Sequence, residues 1–409
     1  MANNKIFKFF RNLLIILLIL ILGLFAFWKT ADSDTKGSII KYLSKISWVR
    51  SLVESQVGED YEDKIKDQNF NANDVQMNEE VYNKIDLTGY TNLVLFGLDT
   101  RHNNFDAGTQ SDSIIIVSIN NDTNEIKMAS VYRDTLVRYY YNDMEYYGKA
   151  NASYSTGGVT GAISMLNTNL DLNITDYVCV NFSGLADIIG MFGGIDVTIT
   201  ESERKYINSY LADMAKESKL VTDPVEKEGR VHLDGLQATA FCRIRYTPFT
   251  DTDGEVYYFD FGRTARQRFV LNQLVKKAKK MGVGELIEVA KKVMSLNTDK
   301  KTFIKTSLEY NEIMDLIPAM IDYNMAGSTG FPFTLDTPDI KGHDYVVAQG
   351  MSYNVKELHK FLFDDETYEP SETVNSINNY IIGYTGVLEH QLPEETEAES
   401  ESETETTAY

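Results

Sequence analysis

The chain has 409 residues, 43% of them apolar, and a formal net charge of −21. This is enough apolar material for one large packed domain or two ordinary ones. The acidic balance argues against nucleic acid as a partner, because the phosphate backbone is bound mainly by net positive surface, although a local basic pocket stays open.

The apolar run Leu13 to Trp28 follows Lys5, Lys8 and Arg11. It predicts a single membrane anchor over 12–29, at the short end of what a bilayer core needs. The basic residues 1–11 should stay cytoplasmic and send everything after Lys29 across the membrane. A cleaved signal peptide is the alternative, but Phe27-Trp28-Lys29 stands where the small residues of a cleavage site would be. Residues 30–86 read as an extracytoplasmic juxtamembrane helix, with Leu43, Ile46, Val49 and Val53 at helical spacing, and then an acidic linker. Strand and helix patterns alternate from 87 to 365, which is the predicted domain. Residues 366–388 form an extension, and 389–409 are Glu/Thr/Ser-rich without Lys or Arg, a composition that reads as a disordered tail.

Within the domain, Thr91 to Asp99, Ser111 to Ile119 and Lys127 to Arg133 read as short strands, with Asn120 to Asn124 as a turn. An antiparallel meander is the simplest pairing. It brings Asp99, Asp112 and Arg133 to one rim, hard oxygen donors beside a guanidinium. Mg²⁺ binds through one or two carboxylates plus phosphate oxygens of a ligand, so two aspartates suffice when the ligand supplies the rest.

Four further segments bear on this rim. Lys149 and Asn151 stand ahead of Gly157-Gly158, which is predicted to open a helix through Leu166 and so offer backbone amides to an anion; an ordinary loop with a surface lysine is the plain alternative. Phe182 to Val197 reads as a helix, a glycine cap and a strand, an architectural element. Ala240 to Tyr246 is predicted as a strand, which would point Arg243 and Arg245 together, either toward an anion or along a solvated edge. In Asp260 to Leu271, continuing to about Lys280, Arg263 and Gln267 fall on the inward stripe of Val270, Leu271, Leu274 and Ala278. Asp260 could simply pair with an arginine there, and Arg266 lies at the stripe's edge with no assigned role. Cys179 and Cys242, both in predicted strands, read as buried thiols, with one bridge between them left open. The five histidines show no paired spacing that would suit zinc.

The ordered set Phe96-Gly97-Leu98-Asp99-Thr100-Arg101, Ser111-Asp112, Arg133-Asp134, Lys149-Ala150-Asn151, Phe192-Gly193-Gly194-Ile195-Asp196, Asp234-Gly235, Arg243-Ile244-Arg245 and Asp260 to Gln267 resembles the LytR-CpsA-Psr family from about Gly89 to Asp365. The resemblance implies an α/β domain with a central mixed sheet flanked by helices, behind one N-terminal transmembrane helix, and with a hydrophobic pocket for lipid. It implies an extracellular, Gram-positive membrane enzyme that moves an anionic glycopolymer, such as teichoic acid or capsule, from polyprenyl pyrophosphate to peptidoglycan. Carried over by motif, Asp99 and Asp112 would bind Mg²⁺, with Mn²⁺ as the alternative ion. Arg133, Lys149, Arg243, Arg245 and Gln267 would contact the pyrophosphate, and Arg101, Asp260 and Arg263 match positions in or beside that site.

Two departures stand out: Tyr132 replaces the proline usual before Arg-Asp, and the stretch from Arg245 to Asp260 is longer, adding Phe249 to Phe259. The expected reaction is attack of a wall-sugar hydroxyl on the phosphorus carrying the glycan, with polyprenyl phosphate leaving and charge stabilised by arginines and metal. Asp134 and Asp260 are positional candidates for a base. Hydrolysis of the same donor, or a non-catalytic wall-binding or regulatory anchor, are the competing readings. A lipid groove would be walled by Ala162 to Leu170 and Leu185 to Phe192, unless these residues are plain core.

Overall fold

The structure is a computed structural model that describes residues 64–83, 87–100, 105–218, 220–298, 301–309, 312–313 and 323–390. The predicted anchor, most of the juxtamembrane segment, Arg101 and the tail from 391 lie outside the described residues. Among the described residues no helix is long and apolar enough to cross a membrane.

Strands β1 (Tyr90–Leu98), β2 (Ser111–Asn120) and β3 (Glu125–Val131) form the expected antiparallel meander. The turn between β2 and β3 follows from its residue types: the Asn120 side chain accepts from the amides of Asp122 and Thr123, both at 3.0 Å, and Asn124 adopts φ 58°. After the hairpin β4 (Leu136–Tyr141) and β5 (Met144–Lys149), helix α1 (Ala150–Leu170) crosses over to β6 (Asp176–Asn181), which pairs parallel with β1. Residues 304–306 then add antiparallel to β6 and Asn324–Phe331 adds parallel to β3, giving a six-stranded mixed sheet.

Both faces of the sheet are covered at its centre, so β1 and β2 carry nearly continuous apolar runs rather than alternating ones. One face carries Val94, Phe96, Ile114, Ile116, Tyr177 and Cys179 against α1 and the C-terminal helices Met351–Phe363 and Glu372–Thr385. The other face looks toward a second cluster built from α2 (Phe182–Met191), strands Ile195–Ile199 and Gly229–Leu233, α3 (Glu201–Ser218), α4 (Gly235–Phe241) and α5 (Phe259–Ala278). Helix α4 is closed by a capping box, Asp234 with Gln237. Gly235 is fixed by close approach, since a Cβ there would stand 1.9 Å from the Ala186 carbonyl oxygen.

Several expectations change. Ala240 to Tyr246 is no strand: α4 ends at Phe241, and Arg243 and Arg245 sit in the turn that follows, as does Cys242. Helix α1 begins at Ala150, not at the glycine pair, and Gly158 (φ 62°) marks a kink within it. The core takes in residues on both sides of 87–365. Asp171, in the left-handed conformation after α1, accepts from Asn78 at 2.6 Å, from the Tyr368 hydroxyl at 2.6 Å and from the Ser371 amide at 2.8 Å. Val374, Ile377 and Ile381 then pack into the main core. Both cysteines are free and buried.

His359 is fully buried, stacks on Tyr368 at 3.6 Å and meets the Leu170 carbonyl oxygen at 2.9 Å through Nε2. Burial pushes its pKa down to about 4 against an ordinary 6.5, so the folded state holds it neutral where the unfolded chain would protonate it. Its contribution is therefore fully present above pH 6.5 and lost as pH falls toward 4, on the order of 3 kcal/mol over the window. Thermal midpoints of the parent should drop across this window more steeply than those of His359→Gln; parallel curves would rule out the histidine as the cause.

Candidate functional site

The site begins at a β-bulge. Gly97 pairs with Ser113 and Leu98 with Ser111, which leaves Asp112 as the extra residue. Such a bulge re-aims one side chain and ends the pairing. Gly97 permits it, because a Cβ there would stand 2.9 Å from the Ser113 Cβ. Asp99 follows directly at the end of β1, so the two aspartates of the predicted rim line one cavity mouth.

Asp112 is the hub of an ion cluster. Its Oδ1 takes Arg133 Nη1 at 2.5 Å, and its Oδ2 faces Arg263 at 3.5 Å and Arg245 at 3.7 Å. Its backbone carbonyl accepts from Arg263 Nη2 at 2.9 Å. Asp260, in the first turn of α5, reaches the same three arginines: Arg263 at 3.0 Å, Arg245 at 3.4 Å and Arg133 at 3.6 Å. Asp134 contacts Arg133 at 3.6 Å and binds Lys149 at 2.9 Å. Both carboxylates proposed by position as a base are thus engaged in holding cations.

Burial opposes the charge of Arg133, but Asp112, Asp260 and Asp134 outweigh it and leave its pKa above the ordinary value. Arg263 is buried more deeply. Burial pulls it down to about 10, against the pull of Asp260 and with help from the positive Arg245 and Arg133. It remains a cation at neutral pH. Buried nitrogens of Arg133 (Nε) and Arg263 (Nε), with Oε1 of Gln267, have no hydrogen-bond partner among the described residues. Such groups are costly to leave unmade, and Arg263 and Gln267 both line the cavity below.

Beneath the mouth lies a cavity of about 390 Å³. Leu95 of β1, Ile115 of β2 and Val178 and Val180 of β6 form one wall, and Leu185 and Ile188 of α2 with Val270, Leu271 and Leu274 of α5 form the other. Arg243, Arg245, Arg263 and Gln267 close it above. The expected stripe on α5 is therefore present, with Arg263 and Gln267 at its polar end. The Leu185 segment lines the cavity as anticipated, but Ala162 to Leu170 does not; α1 is buried on the opposite face of the sheet. Lys149 joins the cluster only through Asp134.

Arg243 has no carboxylate partner among the described residues. Instead its guanidinium carbon sits 4.7 Å from the Phe182 ring centroid and 4.9 Å from that of Tyr210. Rings hold a cation without neutralising it. The clamp joins Phe182 of α2 and Tyr210 of α3, a meeting that no local spacing in the sequence shows. Arg266, unassigned before, is fully buried and bound to Glu203 at 2.7 Å, a structural pair away from the cavity. The two departures are absorbed locally. Tyr132 packs edge-on to Phe261 at 4.5 Å and lies over Gly330, where a Cβ would be 1.9 Å from its hydroxyl. The added stretch forms a two-stranded hairpin, Phe249–Thr250 with Val256–Tyr257, and Phe249 is buried in the second core cluster.

The arrangement suits a hard divalent cation in part. Asp99 is exposed and has no ion pair among the described residues, and Asp112 Oδ2 makes no hydrogen bond there, only the longer arginine contacts. Two such oxygens fit Mg²⁺ if a ligand provides the remaining donors. They do not form a self-contained cage: among the described residues no three His, Cys, Asp or Glu side chains gather to hold a metal. If the ring clamp positions Arg243 for an anion, Tyr210→Leu should weaken binding of inorganic pyrophosphate by roughly three- to tenfold, the worth of a cation–π contact, while Tyr210→Phe stays near the parent. Calorimetric titration of the three proteins decides it, and equal affinities would remove the clamp's role.

Comparison with known proteins places the chain. The model of the LytR_cpsA_psr family matches residues 51–349. A relative from Bacillus cereus (strain AH820), named polyisoprenyl-teichoic acid–peptidoglycan teichoic acid transferase TagU, is 29% identical over 246 residues, 58% of this chain and 71% of that protein. The transferase of the same name designated TagV, from Bacillus subtilis (strain 168), is 27% identical over 277 residues, 65% of this chain and 62% of that one. A solved structure, TagT bound to LIIa-WTA, shares the fold at a TM-score of 0.52 and 21% identity, covering 72% of this chain and 97% of its own. With a family model matched over most of its length and the mixed α/β fold in common, the chain belongs to the LytR-CpsA-Psr family.

Proposed function

We propose that this protein is a membrane-anchored phosphotransferase that moves an anionic glycopolymer from polyprenyl pyrophosphate to a sugar hydroxyl of peptidoglycan. One observation carries the reading: an apolar cavity opens directly under a mouth of arginines. That is the shape of one amphipathic molecule, an apolar tail with an anionic head. The names of the curated relatives agree with a polyisoprenyl-linked donor and a wall acceptor. The anchor expected over 12–29 would tether the domain outside the cell, beside a lipid donor.

In this reading the tail lies between Leu95, Val180, Leu185 and Leu271, and the diphosphate meets Arg243, Arg245 and Arg263. An acceptor hydroxyl attacks the phosphorus that bears the glycan and gives its proton to solvent, a new P–O bond forms, and the P–O bond to polyprenyl phosphate breaks. Negative charge grows on the departing phosphate. Guanidiniums already locked by Asp112 and Asp260 need no reorganisation to receive it, and preorganised charge of this kind is usually the largest catalytic contribution. Asp99 and Asp112 would hold Mg²⁺, which when bound would neutralise part of the diphosphate charge. Asp134 holds Lys149 and Arg133 in place behind the front row.

The test incubates the full-length protein with a polyprenyl-pyrophosphate glycan and peptidoglycan oligomers, with Mg²⁺ or chelator, and follows products by mass spectrometry. A chelator-sensitive phosphodiester between glycan and wall is expected; free phosphorylated glycan would mean hydrolysis instead. Arg245→Ala should lower kcat by roughly 10²- to 10³-fold, the scale of losing one preorganised donor. Asp99→Ala should remove the response to Mg²⁺, and parent-like activity in that variant would eliminate the metal role.

A further inference from the structure

A second surface departs from the cluster along the hairpin of β4 and β5. Residues two apart share a face. Arg138, Glu145 and Tyr147 lie on one face, and Tyr147 stacks on Tyr380 of helix Glu372–Thr385 at 3.7 Å and 20°. Tyr139, Tyr141, Met144 and Tyr146 lie on the other face; Tyr139 packs against the main core, and the fold leaves the outer part of the face exposed. There Tyr141 is 42% exposed, Tyr146 38% and Met144 55%.

This face is ordered. Tyr139 and Tyr146 stack at 5.9 Å and 19°, and Tyr141 tilts against Tyr146 at 6.5 Å. Gly148 makes room for it, since a Cβ there would press on the Tyr139 ring at 3.2 Å. It also leads to the site. Lys149 itself falls on the opposite face, with Tyr147, and Tyr345 joins the two: it interacts electrostatically with Tyr139, and the Lys149 ammonium is 5.5 Å from its ring centroid. Lys149 in turn binds Asp134 at 2.9 Å, which contacts Arg133 of the ion cluster.

The chemistry narrows the occupant. Apart from Met144, the exposed apolar groups are tyrosines, each with a flat apolar face and a hydroxyl edge, suited to partners that are apolar on one side and wet on the other. Asp143 is exposed at the hairpin tip, and its charge works against an anionic polymer or an anionic bilayer, while Glu145 lies on the opposite face beside Arg138 at 3.6 Å. A neutral chain of pyranose rings has the matching features: axial C–H faces, a hydroxyl rim and no charge. We infer that the Tyr139, Tyr141 and Tyr146 face is the platform that seats the polysaccharide acceptor and guides it toward the arginine mouth. The inference rests on the transferase reading above.

Its test measures binding without turnover. Full-length parent, Tyr141→Ser/Tyr146→Ser and Tyr141→Phe/Tyr146→Phe are titrated with a β-1,4-linked N-acetylglucosamine hexamer, and sedimented with wall sacculi stripped of anionic polymer. Inorganic pyrophosphate reports on the donor site separately. The serine variant should bind both glycans roughly tenfold more weakly or worse, the phenylalanine variant should stay within a few-fold of the parent, and pyrophosphate affinity should be the same in all three. Equal glycan binding by parent and serine variant, or none by the parent, overturns the platform. So does a parent dimer that dissociates in the serine variant with no change in glycan affinity, which would mark a self-association face. Failure of the parent to bind pyrophosphate would count against the donor site, whatever the glycan result.

Discussion

Positive charge held out of water is the constraint around which this molecule is arranged. Arg133 and Arg263 are largely buried, and the desolvation of each such ion costs several kcal/mol before any pairing. Asp112 and Asp260 offset that cost by standing between the guanidiniums, each in contact with the same three arginines. Loss of either carboxylate would leave Arg245 and Arg263 sharing the other one. The bulge that frees Asp112 from the β1–β2 ladder, and the first turn of α5 that presents Asp260, therefore define the site more than any single arginine does.

The apolar cavity and the charged mouth share one origin in the sheet. Strand alternation sends Val94, Phe96 and Cys179 into the main core and Leu95, Val178 and Val180 toward the cavity. The latter would normally be sealed by a packed helix. Here α2 and α5 stand off far enough to leave space, and the polar end of α5's inward stripe, Arg263 and Gln267, lies where the strands end. Apolar depth and cationic rim are thus two ends of the same elements, which favours a ligand with both characters over separate ligands for each.

Much of this was legible in the residues. The meander, the rim of Asp99, Asp112 and Arg133, and the inward stripe of α5 follow from period-2 and period-3.6 patterning, which tertiary context did not override. Ala240 to Tyr246 was misread because its alternation of apolar and charged residues imitates a strand. In the structure Arg243 and Arg245 meet the cavity from a turn after a short helix whose start, Asp234 with Gln237, is a capping box. Spacing also says little about which side of a sheet a helix will cover, so α1 was a plausible cavity wall and proved to be core. The ring clamp on Arg243 joins Phe182 and Tyr210 from two helices, and the C-terminal helix is recruited through Asp171, contacts that no local pattern encodes.

The ion cluster also bears on how the chain reaches its native state. Asp112 and Arg263 bond across 151 residues, and β3 pairs in parallel with a strand that begins at Asn324. Contacts of such sequence separation close large loops, and that entropic cost slows folding relative to proteins dominated by local contacts. The helices and the β2–β3 hairpin can form early, but the cluster cannot be assembled until the meander and α5 have docked. Competence to bind an anion is thus acquired late and all at once, so a partly folded chain would present its arginines scattered rather than as a weak version of the finished site.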